Sequence, residues 1–139
     1  MRFRSRLTKL AACAATAAGL TVAVATSASA ADFTVPIYGT SGYYLGSGTF
    51  TSGGSGTIQV YDAYCDGDNG IIAAAYVVRN GSWTTSGLVG TRGCGTTNTN
   101  NLSDNDPRPG AGEEVKFSVC KLLPDGTWKD CQTYYIHND

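Results

Sequence analysis

Four cysteines, Cys65, Cys94, Cys120 and Cys131, constrain this chain more than any other residues, because two of them flank one short turn near its end. The last stretch reads VKFSVCKLLPDGTWKDCQTYYIHND. Within it Leu123-Pro124-Asp125-Gly126 is a turn signal, since proline fixes φ at the second position and glycine follows aspartate. The runs on either side then pair as antiparallel strands, which sets Cys120 nearly opposite Cys131. A Cys120–Cys131 bridge leaves Cys65 to pair with Cys94. In a small domain each bridge contributes about 2–4 kcal/mol, largely by restricting the unfolded chain.

An oxidising compartment is what this pairing requires, and the N-terminus points to one. Arg2, Arg4, Arg6 and Lys9 precede an Ala/Leu/Val-rich run from Leu10 to Ala25, and Ala28-Ser29-Ala30 supplies the small residues of a cleavage site. This reads as a signal peptide over residues 1–30, with the mature chain starting at Ala31. The fifth cysteine, Cys13, leaves with the leader. Leu10-Ala11-Ala12-Cys13 also has the form of a lipoprotein box, but cleavage there would leave almost no apolar stretch before it. A membrane anchor fits poorly, because the run is short and interrupted by Thr16, Gly19 and Thr21. The expected location is secreted, extracellular or associated with the cell surface, with no membrane contact after cleavage. A redox or zinc role lacks its spacing: no C-x-x-C pair exists, and four scattered cysteines with one histidine do not form a structural zinc set.

Removing residues 1–30 leaves 109 of the 139 residues, enough for a single domain over 31–139 with one modest core. Four of the ten basic residues and none of the eleven acidic ones go with the leader, so the remainder carries six against eleven, a net charge near −5. Such a surface repels phosphate backbones, which argues against nucleic-acid partners. Scarce Lys and Glu, abundant Gly and recurring β-branched residues and Tyr favour strands and turns. TIQVYDAY, Thr57 to Tyr64, alternates with Ile58, Val60 and Tyr64 on one face and Asp62 as an exception. Ile71 to Arg79, IIAAAYVVR, is nearly continuous in apolar residues, ends at Asn80-Gly81 and reads as a central strand. Val115, Phe117 and Val119 share one face of the strand before the last turn, opposite Lys116, Ser118 and Cys120. With Phe33 to Tyr38, Gly42 to Leu45 and Trp83 to Val89, about seven strands predict an all-β fold: a small antiparallel β-sandwich, immunoglobulin-like, with two disulfides. A small β-barrel is the alternative. Gly46 to Gly56 and Gly93 to Gly110 read as mobile surface loops.

Catalytic machinery is not written in the sequence. The only histidine, His137, stands two residues from a chain end that is expected to fray. No G-x-S-x-G elbow and no H-E-x-x-H occurs. Glu113-Glu114 are adjacent and point to opposite faces of a strand, so they read as solvating charges. Asp62, Asp66 and Asp68 in DAYCDGDNG are a calcium candidate, but without EF-hand spacing. A plain turn with Asp side chains capping backbone amides accounts for the same residues. No cofactor is expected, and the chain is expected to be a monomer.

Candidate binding residues are of two kinds. Trp83, Trp128 and the pairs Tyr43-Tyr44 and Tyr134-Tyr135 could form a platform for sugar faces, because strand alternation turns one member of each pair outward. Arg108, between Pro107 and Pro109, has the form of bait for a trypsin-like protease, against the plainer reading of a stiffened turn. The expected partners are thus cell-envelope polysaccharide or an extracellular enzyme.

The RFRSR start, the Ala-rich leader ending in ASAA and the VKFSVCKLLPDGTWKDC hairpin together resemble small secreted β proteins of filamentous actinobacteria. The resemblance covers the leader over residues 1–31 and the Cys-turn-Cys hairpin over the last 25, and it implies a secreted protein. Two families are similar in type. The enediyne-carrying apoproteins are acidic, disulfide-bridged immunoglobulin-like sandwiches with a different cysteine spacing, and they imply a small-ligand carrier. Tendamistat-type amylase inhibitors share size and bridges and imply an inhibitor, but their Trp-Arg-Tyr turn is absent here. The expectation is a non-catalytic sandwich acting at or near the cell surface, with inhibitor and carrier as alternatives.

Overall fold

The β-hairpin at the end of the chain forms as its turn chemistry dictates. In the computed structural model, which describes residues 31–139, β7 (Glu113–Leu122) and β8 (Trp128–Asn138) pair antiparallel. Gly126 N donates to Leu123 O and Leu123 N to Thr127 O, while the Asp125 carboxylate accepts from Thr127 N. A bulge between Val119 and Lys121 places Cys120 against Cys131, and these two are bridged, as are Cys65 and Cys94. The expected signal peptide lies outside the described residues.

Six further strands complete two antiparallel sheets. The first contains β1 (Asp32–Tyr38), β2 (Tyr44–Thr51), β3 (Thr57–Asp62) and β6 (Thr96–Asn101) in the order β1-β2-β3-β6. The second adds β4 (Gly70–Arg79) and β5 (Ser82–Arg92) to the hairpin, in the order β5-β4-β7-β8. Crossovers from β3 to β4, β5 to β6 and β6 to β7 give the immunoglobulin-like arrangement, with β3, β4, β6, β7 and β8 in the places of strands B, C, E, F and G. The sheets stay open, so the fold is a sandwich and not a barrel.

Alternation builds the core. Val35, Ile37, Phe50, Ile58 and Val60 from the first sheet meet Ile71, Ala73, Ala75, Val77, Val115, Phe117 and Val119 from the second. The Phe50 and Phe117 rings lie 5.9 Å apart at its centre. Gly48 lets the sheets close: a Cβ there would stand 2.5 Å from Val119 Cγ2. On β3 the third inward position after Ile58 and Val60 belongs to Asp62, and Tyr64 lies beyond the strand and exposed. The apparent exception in the TIQVYDAY pattern is therefore the alternation continuing onto a polar residue.

Eight strands form where about seven are expected, because both presumed mobile loops hold strand. Gly46 to Gly56 contains most of β2, whose glycines face the core where Ile71 and Val119 enter. Gly93 to Gly110 contains β6, TTNTNN, and a 3-10 turn at Leu102–Asp104 whose Leu102 is fully buried. β6 is an edge strand with little to bury. Asn98 Nδ2 donates to Gly90 O and Asn100 Nδ2 to Leu88 O, each at 3.0 Å, so its side chains stitch the first sheet to the edge of β5. On the opposite side Gln132 Nε2 donates to Pro36 O, and Phe33 meets Tyr134 edge-on.

The chain end does not fray in this structure. β8 runs to Asn138, which is fully buried. Its Oδ1 accepts from Gly53 N, and its Nδ2 donates to Gly54 O and Gly110 O, tying two loops to the last strand. Asn138→Ala is expected to cost about 3 kcal/mol, because three part-buried hydrogen bonds to loop backbone, each worth about 1 kcal/mol, are lost. His137→Ala, one residue earlier and exposed, is expected to cost under about 0.5 kcal/mol. Urea unfolding of the two variants checks the contrast.

Candidate ligand-binding face

Strand alternation gives the two outer faces of the sandwich opposite characters. Thr34, Thr49, Gln59 and Thr99 form one cross-strand row on the first sheet, a polar and uncharged surface joined by side-chain hydrogen bonds. The outer face of the second sheet is apolar and aromatic. Ile72, Ala74, Tyr76 and Val78 of β4 point to it, with Leu88 of β5 and Leu122 and Trp128 of the hairpin.

Register assembles the centre of that face. Tyr76 of β4 pairs with Lys116 of β7, and Lys116 with Tyr135 of β8. Trp83 reaches inward from β5 and Tyr135 from β8, although these edge strands stand roughly 14 Å apart by three interstrand spacings. Their ring centroids nevertheless lie 5.7 Å apart. The Lys116 ammonium sits 4.4 Å from the Tyr76 ring centre and 5.5 Å from that of Trp83, within cation–π range. Together these side chains make an aromatic arch across the sheet. Beside it the rows through Ala74, Ser118 and Thr133 and through Gly90 and Ile72 are low. Ala74 and Ile72 are nonetheless buried, covered by the side chains around them. The face thus carries the ring arch at one end and Leu122 and Trp128 at the other.

The structure disperses the remaining aromatics expected to form a platform. Tyr43 stacks on Tyr64 at 4.7 Å and Tyr44 meets Tyr38 at 5.9 Å, both near the Cys65–Cys94 bridge. All four rings are exposed. Tyr134 packs against Phe33, and Trp128 stands exposed at the hairpin. Of the expected residues only Trp83 and Tyr135 come together. Tyr76 and Lys116, which complete the arch, were not singled out by sequence reasoning, although Lys116 was assigned to the outward face of its strand.

Acidic residues act on the backbone. Asp62, buried at the end of β3, accepts from Tyr64 N with one oxygen and from Gly93 N with the other, bracing both loops that carry the Cys65–Cys94 bridge. Burial pushes its carboxyl above the usual range, against the two amide bonds and helped by the nearby Asp66 charge. Asp66 accepts from Asn69 N and Nδ2. Desolvation pushes Asp66 up, but these bonds outweigh it and the net direction is down. Asp62 and Asp66 thus cap backbone amides as the turn reading expects, and among the described residues no three His, Cys, Asp or Glu side chains gather into one cluster. Leu45, Tyr64, Asn69 and Lys121 line a small open hollow of about 10 Å³ beside Asp62 and Asp66.

Arg108 is exposed, and its Nη1 donates to Ser103 O. Its own carbonyl accepts from Arg79 Nη2 at 2.8 Å, and Pro109 behind it is buried. A bait residue must offer that carbonyl to a protease's oxyanion hole, and here Arg79 already holds it. Arg79 also pairs through both nitrogens with Glu113, which accepts from Gly110 N as well. Glu113 is therefore a loop anchor and not a solvating charge. Against desolvation, the Arg79 hydrogen bond holds its carboxyl below the usual range.

No family model, curated protein or solved structure matches the chain.

The two carboxylates give opposite pH signatures. Asp62, raised in the folded state, opposes folding when ionised, and this cost disappears as pH falls through its folded pKa. Glu113, lowered, supports folding above its ordinary value near 4.5 and loses that support as pH falls through its folded pKa. Glu113→Gln is expected to lower the urea midpoint at about pH 7 and to leave it close to that of the unsubstituted protein below about pH 3. Unfolding curves at the two pH values check it.

Proposed function

We propose that this protein is a secreted, non-catalytic β-sandwich that works at or near the cell surface by holding an extracellular glycan, envelope polysaccharide foremost, on the outer face of its second sheet. The observation that carries the reading is the meeting of Trp83 and Tyr135 from opposite edge strands above Lys116 and Tyr76. The half-buried Trp83 ring and the exposed Tyr135 ring suit the apolar faces of sugar rings, and an open sheet face admits a chain from either end. Tyr135 is 60% exposed, more than a ring used only for packing needs. Two disulfides are compatible with life outside the cell, and among the described residues no helix is long and apolar enough to cross a membrane.

The carrier reading lacks a floor to hold a ligand, because Ile72 and Ala74 are buried by their neighbours. The inhibitor reading also draws less support, because the Arg108 carbonyl is engaged within the protein.

Retention of the purified protein on the insoluble envelope of its producer is the direct test. Saturable retention is expected, and Trp83→Ala or Tyr135→Ala should each weaken it roughly 5- to 10-fold, the loss of one stacked ring at about 1 kcal/mol. Tyr43→Ala, in the separate Tyr43–Tyr64 stack, should leave it within about 2-fold of the unsubstituted protein. Full recovery in the buffer would overturn the glycan reading.

A further inference from the structure

The ring arch is built around a cation. Lys116 is the residue that both central neighbours in its row, Tyr76 and Tyr135, flank in register, and its ammonium lies over the Tyr76 and Trp83 rings. Among the described residues the ion pair formed is Arg79–Glu113, at the far end of β4, and Lys116 has no carboxylate partner. A lysine in a protein with almost twice as many acidic as basic residues beyond the leader would ordinarily find one. The distribution of charge over the surface explains why it does not. The acidic residues lie mainly in the loops and at the strand ends, and by alternation the outer face of the second sheet carries Glu114 against Lys116 and Arg92, with Asp130 in the bulge of β8. This face is the part of an acidic molecule that does not repel an anion.

We propose that the glycan held on this face is acidic, and that Lys116 receives a carboxylate of a uronic-acid unit while the sugar ring stacks on Tyr135 and Trp83. This inference rests on the glycan reading above and gives it a ligand class. Two features favour it. The rings on either side fix the ammonium in place before any ligand arrives, so little rotamer freedom is lost on binding. They also displace water from around it, which strengthens its attraction to an incoming carboxylate relative to a fully hydrated surface lysine. A neutral sugar would gain the stacking alone.

The test compares retardation of the purified protein by native gels containing polygalacturonate or a neutral β-glucan. Retardation by polygalacturonate should exceed that by the neutral polymer and should weaken as salt is raised, because a partly exposed charge pair is screened. Lys116→Met should reduce the polygalacturonate affinity about 5- to 10-fold and change the neutral affinity less than about 2-fold, while Lys116→Arg keeps both. A circular-dichroism melt confirms that Lys116→Met is folded. Equal retardation by the two polymers, or an unchanged Lys116→Met, would overturn the acidic ligand and leave the glycan reading standing. No retardation by either polymer, together with no retention on the envelope, would overturn both.

Discussion

The sandwich depends on satisfying backbone groups at its rims. Two four-stranded sheets expose four edges and two ends, where N–H and C=O groups find no ladder partner, and such groups are costly to leave unpaired once buried. This chain meets the requirement with side-chain amides and carboxylates. Asn98 and Asn100 donate to the edge carbonyls of β5, and Gln132 reaches Pro36 across the other seam. Asp62 holds Tyr64 N and Gly93 N at one end, and Asn138 holds Gly53, Gly54 and Gly110 at the other. These residues look like loop composition in the sequence. In the fold they close its perimeter.

Closure is also what makes the aromatic face usable. Trp83 and Tyr135 sit on edge strands, so their meeting depends on β5 and β8 holding fixed positions relative to the two central strands. The asparagine stitches fix β5, while the Cys120–Cys131 bridge and the buried Asn138 fix the two ends of β8. The cysteine-flanked hairpin thus serves stability and also positions a strand that carries part of the candidate site. Trp128, at the turn end of the same strand, pairs with Leu122 and does not join the arch.

Elements whose logic is local were legible. The turn at Leu123-Pro124-Asp125-Gly126 and the spacing around it predicted the last hairpin and both disulfides, and the Ile71–Arg79 run with Asn80-Gly81 after it predicted β4 and its partner β5. β6 was not legible, because an edge strand whose asparagines bond sideways has neither apolar alternation nor β-branched content beyond Thr. β2 was hidden for another reason: its inward positions at Gly46 and Gly48 are filled by side chains of the opposite sheet, so the residues that show it is buried lie on other strands. Half of the arch was visible as exposed Trp and Tyr. Tyr76 and Lys116 were not, since nothing near them in sequence says which strands they will stand between.

The sequence by itself determined the class of fold, the Cys120–Cys131 hairpin that leaves Cys65 to Cys94, and the alternation that sends Lys116, Ser118 and Cys120 to one side of their strand, because these follow from local turn chemistry or from a period of two. Tertiary structure decided which aromatics act together. Trp83 and Tyr135 are far apart in sequence and three strands apart in the sheet, and their contact follows from a strand order set by crossovers between the sheets. Tertiary structure also decided the meaning of Asp62 and Asn138. A polar residue in a strand pattern becomes a brace only when other segments deliver unpaired amides and carbonyls to it, and those partners come from loops up to 85 residues away.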